Sequence, residues 1–169
     1  MGKVVLRLAD DVSTDVIYPG RYMATVLPAE TPQFAFADLT EFNGALKGGS
    51  VTAGSVIVAG KNFGCGSSRE QAVSALKGHE LTIVAQSFAR IFLQNAINLG
   101  LNLVIAPGFR AEAGDEVRIQ GERILNVTTG DATAVVKLPQ ARQAIIDAGG
   151  LIPYTRKRLL EKPISHSHH

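Results

Sequence analysis

The chain has 169 residues, of which 46% are hydrophobic and 19% charged, and a net charge of +2 at pH 7. That is enough for one good core and one domain, and its basic residues are too few and too scattered to point to nucleic acid or an acidic membrane surface. No apolar run approaches the ~20 residues of a membrane span and Met-Gly-Lys opens without a signal-peptide core, so a cytoplasmic globular protein is expected.

In chain order, residues 4–8 read as a short strand and residues 9–33 as a long irregular segment punctuated by Pro19, Gly20, Pro28 and Pro32. A loop of that length in a compact domain is usually functional. Its part from residue 18 to 33 is expected to be mobile until a partner completes it. Residues 34–42 suggest a short helix, 48–54 a turn region and 55–59 a buried strand. Next come a glycine-spaced loop, a helix to Lys77, a strand at 81–85, a helix at 88–98 and a strand at 103–105. This alternation predicts a parallel β/α core with its ligand loop at the carboxyl end of a strand. Residues 115–119, 123–127 and 133–138 alternate in polarity, with Gly121 and Gly130 at the turns, and predict a small antiparallel sheet. Pro139 opens a helix to residue 148, and Gly149-Gly150 separates it from a last helix ending near Glu161. A single α/β domain over residues 1–162 follows, and the tail 163–169, with His166, His168 and His169, reads as disordered and partly tag-derived.

The chemistry concentrates in residues 60–72, Gly-Lys-Asn-Phe-Gly-Cys-Gly-Ser-Ser-Arg-Glu-Gln-Ala. Glycines let the chain turn sharply and come close to a ligand. The N–H groups of Ser67 and Ser68 would lie near a helix start, where unpaired donors and the helix dipole attract an anion. Arg69 adds a fork that fits a carboxylate. The competing reading is structural: Ser67 or Ser68 caps the helix, with Glu70 or Gln71 completing a capping box. The run is neither a phosphate-binding P-loop nor a G-x-S-x-G nucleophile elbow. No histidine is well placed to activate a serine nucleophile, since His79 follows the helix and the others crowd the tail. Cys65, the single cysteine, excludes an internal disulfide and cannot alone hold an iron–sulfur cluster, which takes about four thiolates or their substitutes. Between two glycines it reads as a small buried side chain.

The same run closely resembles the small subunits of the 3-isopropylmalate dehydratase and homoaconitase group, relatives of the swivelling C-terminal domain of aconitase. Residues 11–22, with Thr14-Asp15 ahead of an apolar run and Pro19, look like that family's first loop. Ser87-Phe88-Ala89-Arg90-Ile91-Phe92 and the stretch 95–100 look like its second helix, and Tyr154-Thr155-Arg156-Lys157 like its usual ending. These matches span most of residues 3 to 160 in family order.

The resemblance implies a swivelling β/β/α domain that closes over a large subunit carrying a 4Fe-4S cluster, with no cofactor or metal on this chain. The implied enzyme is a hydro-lyase of leucine biosynthesis, which isomerises 2-isopropylmalate to 3-isopropylmalate by removing and re-adding water. The alternatives are a related substrate (dimethylmalate, a citramalate-type acid or homoaconitate) or a stand-alone dicarboxylate-binding module. By the resemblance Ser67 is the base, acting as an alkoxide stabilised by loop amides and Arg69. Ser68, Arg69 and Thr14 bind substrate, and Asp15 orients or relays through a neighbouring group. On residue pattern alone Asp15 would be an Asx-turn residue. Arg90, Asn95 and Asn98 are kept structural, and Arg21 is either a substrate contact or a surface charge. The chain departs from the family in two places. Gln71 stands where histidine is common, which predicts changed packing. Ala24 stands in the substrate-sorting loop, where homoaconitate-type relatives tend to carry arginine. A carboxylate left unpaired in a closing site is costly, so Ala24 favours a substrate with an apolar branch.

Overall fold

Four short, almost wholly apolar strands set the centre of the molecule. The computed structural model describes residues 2–161, so the end of the expected domain at 162 and the tail 163–169 lie outside the described residues. Strands β1 (Gly2–Arg7), β2 (Val56–Ala59), β3 (Thr82–Ala85) and β4 (Leu103–Ile105) pair in parallel in the order β4-β3-β2-β1. The crossovers β2-to-β3 and β3-to-β4 run through helices α3 (Glu70–Gly78) and α4 (Arg90–Leu99). On its other edge β1 pairs antiparallel with β5 (Glu116–Gln120), which continues through β6 (Arg123–Asn126) to β7 (Ala132–Ala134). The sheet curls until the chain after β7 meets β4, where Val136 N donates to Ile105 O at 2.8 Å. This is the mixed architecture the sequence predicts.

The period-two alternation of strands divides the interior in two. Ile57, Ile83 and Leu103 lie side by side and pack with Phe63, Leu76, Phe92 and Ile97 beneath the helices. Val56, Val58, Val84 and Val104 fill the inside of the curl with Val4, Val117 and Ile124. Both faces are covered, which is why β2 reads as an unbroken apolar run.

Several boundaries differ from expectation. No single helix spans 34–42; a 3-10 turn, Thr31–Phe34, and α2 (Thr40–Lys47) overlap its two ends instead. The cause is Phe36, fully buried with φ +52, whose N–H donates to Ile17 O at 2.8 Å. Burying that ring takes the chain out of helical geometry. The strand expected at 133–138 stops at Ala134, because the next residues turn to bond the Glu122 and Ile105 carbonyls. The last two helices are α5 (Gln140–Asp147) and α6 (Leu151–Glu161). No helix among the described residues is long and apolar enough to cross a membrane.

The long loop contains helix α1 (Thr14–Ile17) and a 3-10 turn, Gly20–Tyr22. Against the expectation of mobility, its ends are anchored. Tyr18 and Thr31 are fully buried, and Tyr22 stacks on Phe34 with ring centroids 4.0 Å apart. Residues 26–30 between them are exposed.

Candidate active site

Beyond the carboxyl ends of β1 and β2 the two chain segments continue side by side. Asp11 N donates to Lys61 O, Gly64 N to Val12 O and Thr14 N to Cys65 O, each at 2.7–2.8 Å. This ladder brings residues fifty positions apart to one place. Gly64 makes the approach possible: its φ is +84, and a Cβ there would overlap the Phe92 ring. Gly66 also takes a left-handed φ, +91, but faces more open space. The loop is further pinned by the hydroxyl of Thr14, almost fully buried, which donates to Ser67 O at 2.7 Å.

Thr14, Ser67, Ser68 and Arg69 converge on one cavity of about 220 Å³, closed on the far side by the start of α4 at Ala89, Arg90 and Asn95. The capping alternative is not realised. Helix α3 begins at Glu70, Arg69 is its N-cap residue, and neither serine hydroxyl caps it. The amides of Ser67, Ser68 and Arg69 therefore donate to no acceptor among the described residues, which leaves a run of N–H groups at a helix start, an arrangement suited to an anion. The Ser67 hydroxyl makes no hydrogen bond among the described residues either, while Ser68 Oγ accepts a long one, 3.4 Å, from Asn95 Nδ2.

Arg69 is largely buried and Asp15 exposed. Arg69 Nη1 donates to Asp15 Oδ1 at 2.8 Å and to Tyr18 O at 2.9 Å. Asp15 Oδ1 also accepts from Gly20 N at 3.0 Å. Asp15 is thus not an Asx-turn residue: its acceptors reach five residues ahead and across to the serine loop. The Arg69 hydrogen bond, and after it the Gly20 N–H, holds the Asp15 carboxyl below the usual carboxylate range. Among the described residues the Nη2 and Nε donors of Arg69 have no protein acceptor, so one edge of the fork remains for a ligand.

The remaining residues fall outside this lining. Ala24 sits on an exposed turn next to the 3-10 turn, and Arg21 forms a surface ion pair with Asp38, which makes it a structural charge rather than a lining residue. Gln71 Nε2 reaches across to Met23 O at 3.2 Å. Arg90 and Asn95, kept structural on sequence grounds, line the cavity instead. Their spacing on one helix carried the hint, but only the packing of α4 under Gly64 shows which face meets the loop. Ser13 was also missed; it caps α1 by accepting from Val16 N at 3.3 Å.

Residues 40–107 match the family model described as Aconitase C-terminal domain. The chain is 42% identical over 163 residues to the isopropylmalate/citramalate isomerase small subunit of Methanocaldococcus jannaschii, covering 93% of this chain and 94% of that one. It is 43% identical over 155 residues to the 3-isopropylmalate dehydratase small subunit of Moorella thermoacetica, covering 89% and 91%. A crystal structure of 3-isopropylmalate dehydratase from Methanocaldococcus jannaschii superimposes with a TM-score of 0.84 at 40% identity, covering 94% of both chains. Relatives matched along nearly their whole length are named as small subunits, so the stand-alone binding module is not favoured. The chain belongs to the family of 3-isopropylmalate dehydratase small subunits, built on the aconitase C-terminal domain.

Proposed function

We propose that this chain is the small subunit of a hydro-lyase that interconverts 2-isopropylmalate and 3-isopropylmalate in leucine biosynthesis, and that its serine loop supplies one wall of a site shared with a large subunit. The observation that carries the reading is the convergence of Thr14, Ser67, Ser68 and Arg69 on one small cavity with three undirected amides. The location proposed is cytoplasmic.

In this reading Ser67 takes the proton from the carbon next to a substrate carboxylate. A serine hydroxyl is far too weak an acid for this in water. The adjacent amides and Arg69 provide positive potential that favours its ionised form. Ser68 and the free edge of the Arg69 fork hold a carboxylate. Asp15 fixes Arg69 in that pose, and Thr14 holds the Ser67 backbone in register. Ala24 presents a small apolar surface to the substrate branch.

The residues of this chain do not suit an iron–sulfur cluster. Cys65 is the single thiol, and no group of three His, Cys, Asp or Glu converges among the described residues. The cluster is therefore assigned to the large subunit, where it would bind the substrate hydroxyl and a carboxylate.

The test is anaerobic reconstitution with the iron–sulfur subunit, following unsaturated-acid absorbance with 2-isopropylmalate, dimethylmalate and homocitrate. Isopropylmalate turnover that Ser67→Ala abolishes without loss of subunit association is the expected result. Preference for homocitrate would overturn the Ala24 argument, and an active Ser67→Ala would remove Ser67 as the base.

A further inference from the structure

The turn that carries Ala24 is gripped from two sides by side chains that have no part in the chemistry above. From within, the fully buried Tyr18 places its hydroxyl 3.0 Å from Tyr22 O and 3.2 Å from Thr25 O, the carbonyls at the two ends of the turn. Thr25 N closes the same turn onto Tyr22 O at 3.0 Å. From outside, Gln71 in the first turn of α3 donates to Met23 O. Three of the four carbonyls between Tyr22 and Thr25 are thereby held. The root of the turn is held too, since Arg69 donates to Tyr18 O. Arg69 and Gln71 thus tie the root and the outside of the turn to the start of α3, the same point from which the serine loop is hung, and Tyr18 joins the two ends of the turn to that root.

We propose that Tyr18 and Gln71 are positioning residues for substrate selection: they lock the turn Tyr22–Thr25 to helix α3, so that Ala24 stands at a fixed distance from the group held by Ser68 and Arg69. An apolar pocket separates substrates that differ by one methylene only about 10- to 200-fold, and it does so only if its wall stays in place. A turn of this length has no core of its own. The two side chains supply the rigidity that its sequence lacks. The proposal rests on the isopropylmalate reading for its substrate, and its test is divided so that the two fail separately.

Tyr18→Phe deletes one oxygen and leaves the ring in its edge contacts with Tyr22 and Phe34. Gln71→Glu keeps the shape but turns an acceptor toward the Met23 carbonyl. In the full isolated chain, hydrogen exchange of the Met23 and Thr25 amides, which bond Gly20 O and Tyr22 O, should accelerate about five- to tenfold in each variant, the consequence of losing one net hydrogen bond, with Ile57 and Ile83 in the core unchanged. Unchanged exchange at the turn overturns the clamp. In the reconstituted enzyme, the ratio of kcat/KM for 2-isopropylmalate over methyl-branched citramalate should fall several-fold. The fall should come through KM for isopropylmalate, with kcat within about twofold of the parent, as expected for lost binding rather than lost chemistry. An unchanged ratio, or a loss confined to kcat, overturns the assignment. If the parent enzyme does not turn over isopropylmalate, the functional reading fails, and the exchange arm still decides whether the clamp exists.

Discussion

Gly64→Ala tests whether the serine loop owes its position to close packing on α4. Two costs add at this residue. A φ of +84 is one that an L-residue with a Cβ adopts at roughly 1–2 kcal/mol. The new methyl would also lie within 2.5 Å of Phe92 Cδ2 and 2.6 Å of its Cβ. Phe92 cannot retreat cheaply, because it stacks on Phe88 at 6.1 Å and meets the buried Phe63 edge-on at 5.3 Å. Overpacking of that kind adds about 1–3 kcal/mol. The total, about 2–5 kcal/mol, lowers the melting temperature by roughly 4–20 °C at this chain length. Gly66→Ala is the control. It shares the left-handed backbone, φ +91, but its Cβ would meet nothing closer than Thr14 Oγ1 at 3.7 Å, so only the strain of about 1–2 kcal/mol applies. Urea unfolding of both variants beside the parent gives the difference directly. Equal losses would refute the packing argument, and Gly64→Ala costing under about 1 kcal/mol would refute both parts of it.

Thr14→Val removes the hydroxyl that pins Ser67 O; because Ser67 is exposed, water can replace the bond, so stability should fall by only about 1 kcal/mol. Turnover in the reconstituted enzyme should nevertheless fall roughly ten- to a hundredfold through misplacement of the loop, and full activity would show that the pin is dispensable. Asp15 titrates below the ordinary carboxylate value because Arg69 and then Gly20 bond its ionised form. Its contribution is therefore complete above the unfolded value of about 3.9 and disappears as pH falls through the lower folded value. The Gly20 amide shift followed by NMR should stay flat down to about pH 4, and a midpoint above that would reverse the sign of the argument. Asn126 is fully buried and bonds Arg110 O, Asp115 and the amides of Thr128 and Thr129. Asn126→Ala should cost about 2–4 kcal/mol in chemical denaturation yet leave turnover intact where the protein is folded, since it lies in the antiparallel half.

Apart from the unforeseen α1 and the displaced α2, the order of strands and helices, the parallel and antiparallel halves and the position of the serine loop after β2 were legible in the chain. Each depends on local pattern: runs of Val and Ile bounded by glycine, alternating polarity after Gly114, proline and glycine at helix ends. The run through Ser67, Ser68 and Arg69 likewise suggested an anion site, but left helix capping open as its rival until the start of α3 at Glu70 was seen. What the tertiary structure decided are the relations between segments far apart in sequence. Phe36 breaks an expected helix because the core beneath Ile17 has room for its ring, and the strand at 133–138 is cut short because the curl of the sheet offers it the edge of β4. Arg90 and Asn95 reach the cavity, and Asp15 serves Arg69 rather than its own turn, only because β1 and β2 run parallel and carry residues 11–15 alongside residues 61–67. Local pattern is set by the conformational preferences and burial of neighbours along the chain, and so can be read from it. The meeting of Gln71 with Met23, or of Gly64 with Phe92, depends on the packing of whole elements, which no short window of sequence contains.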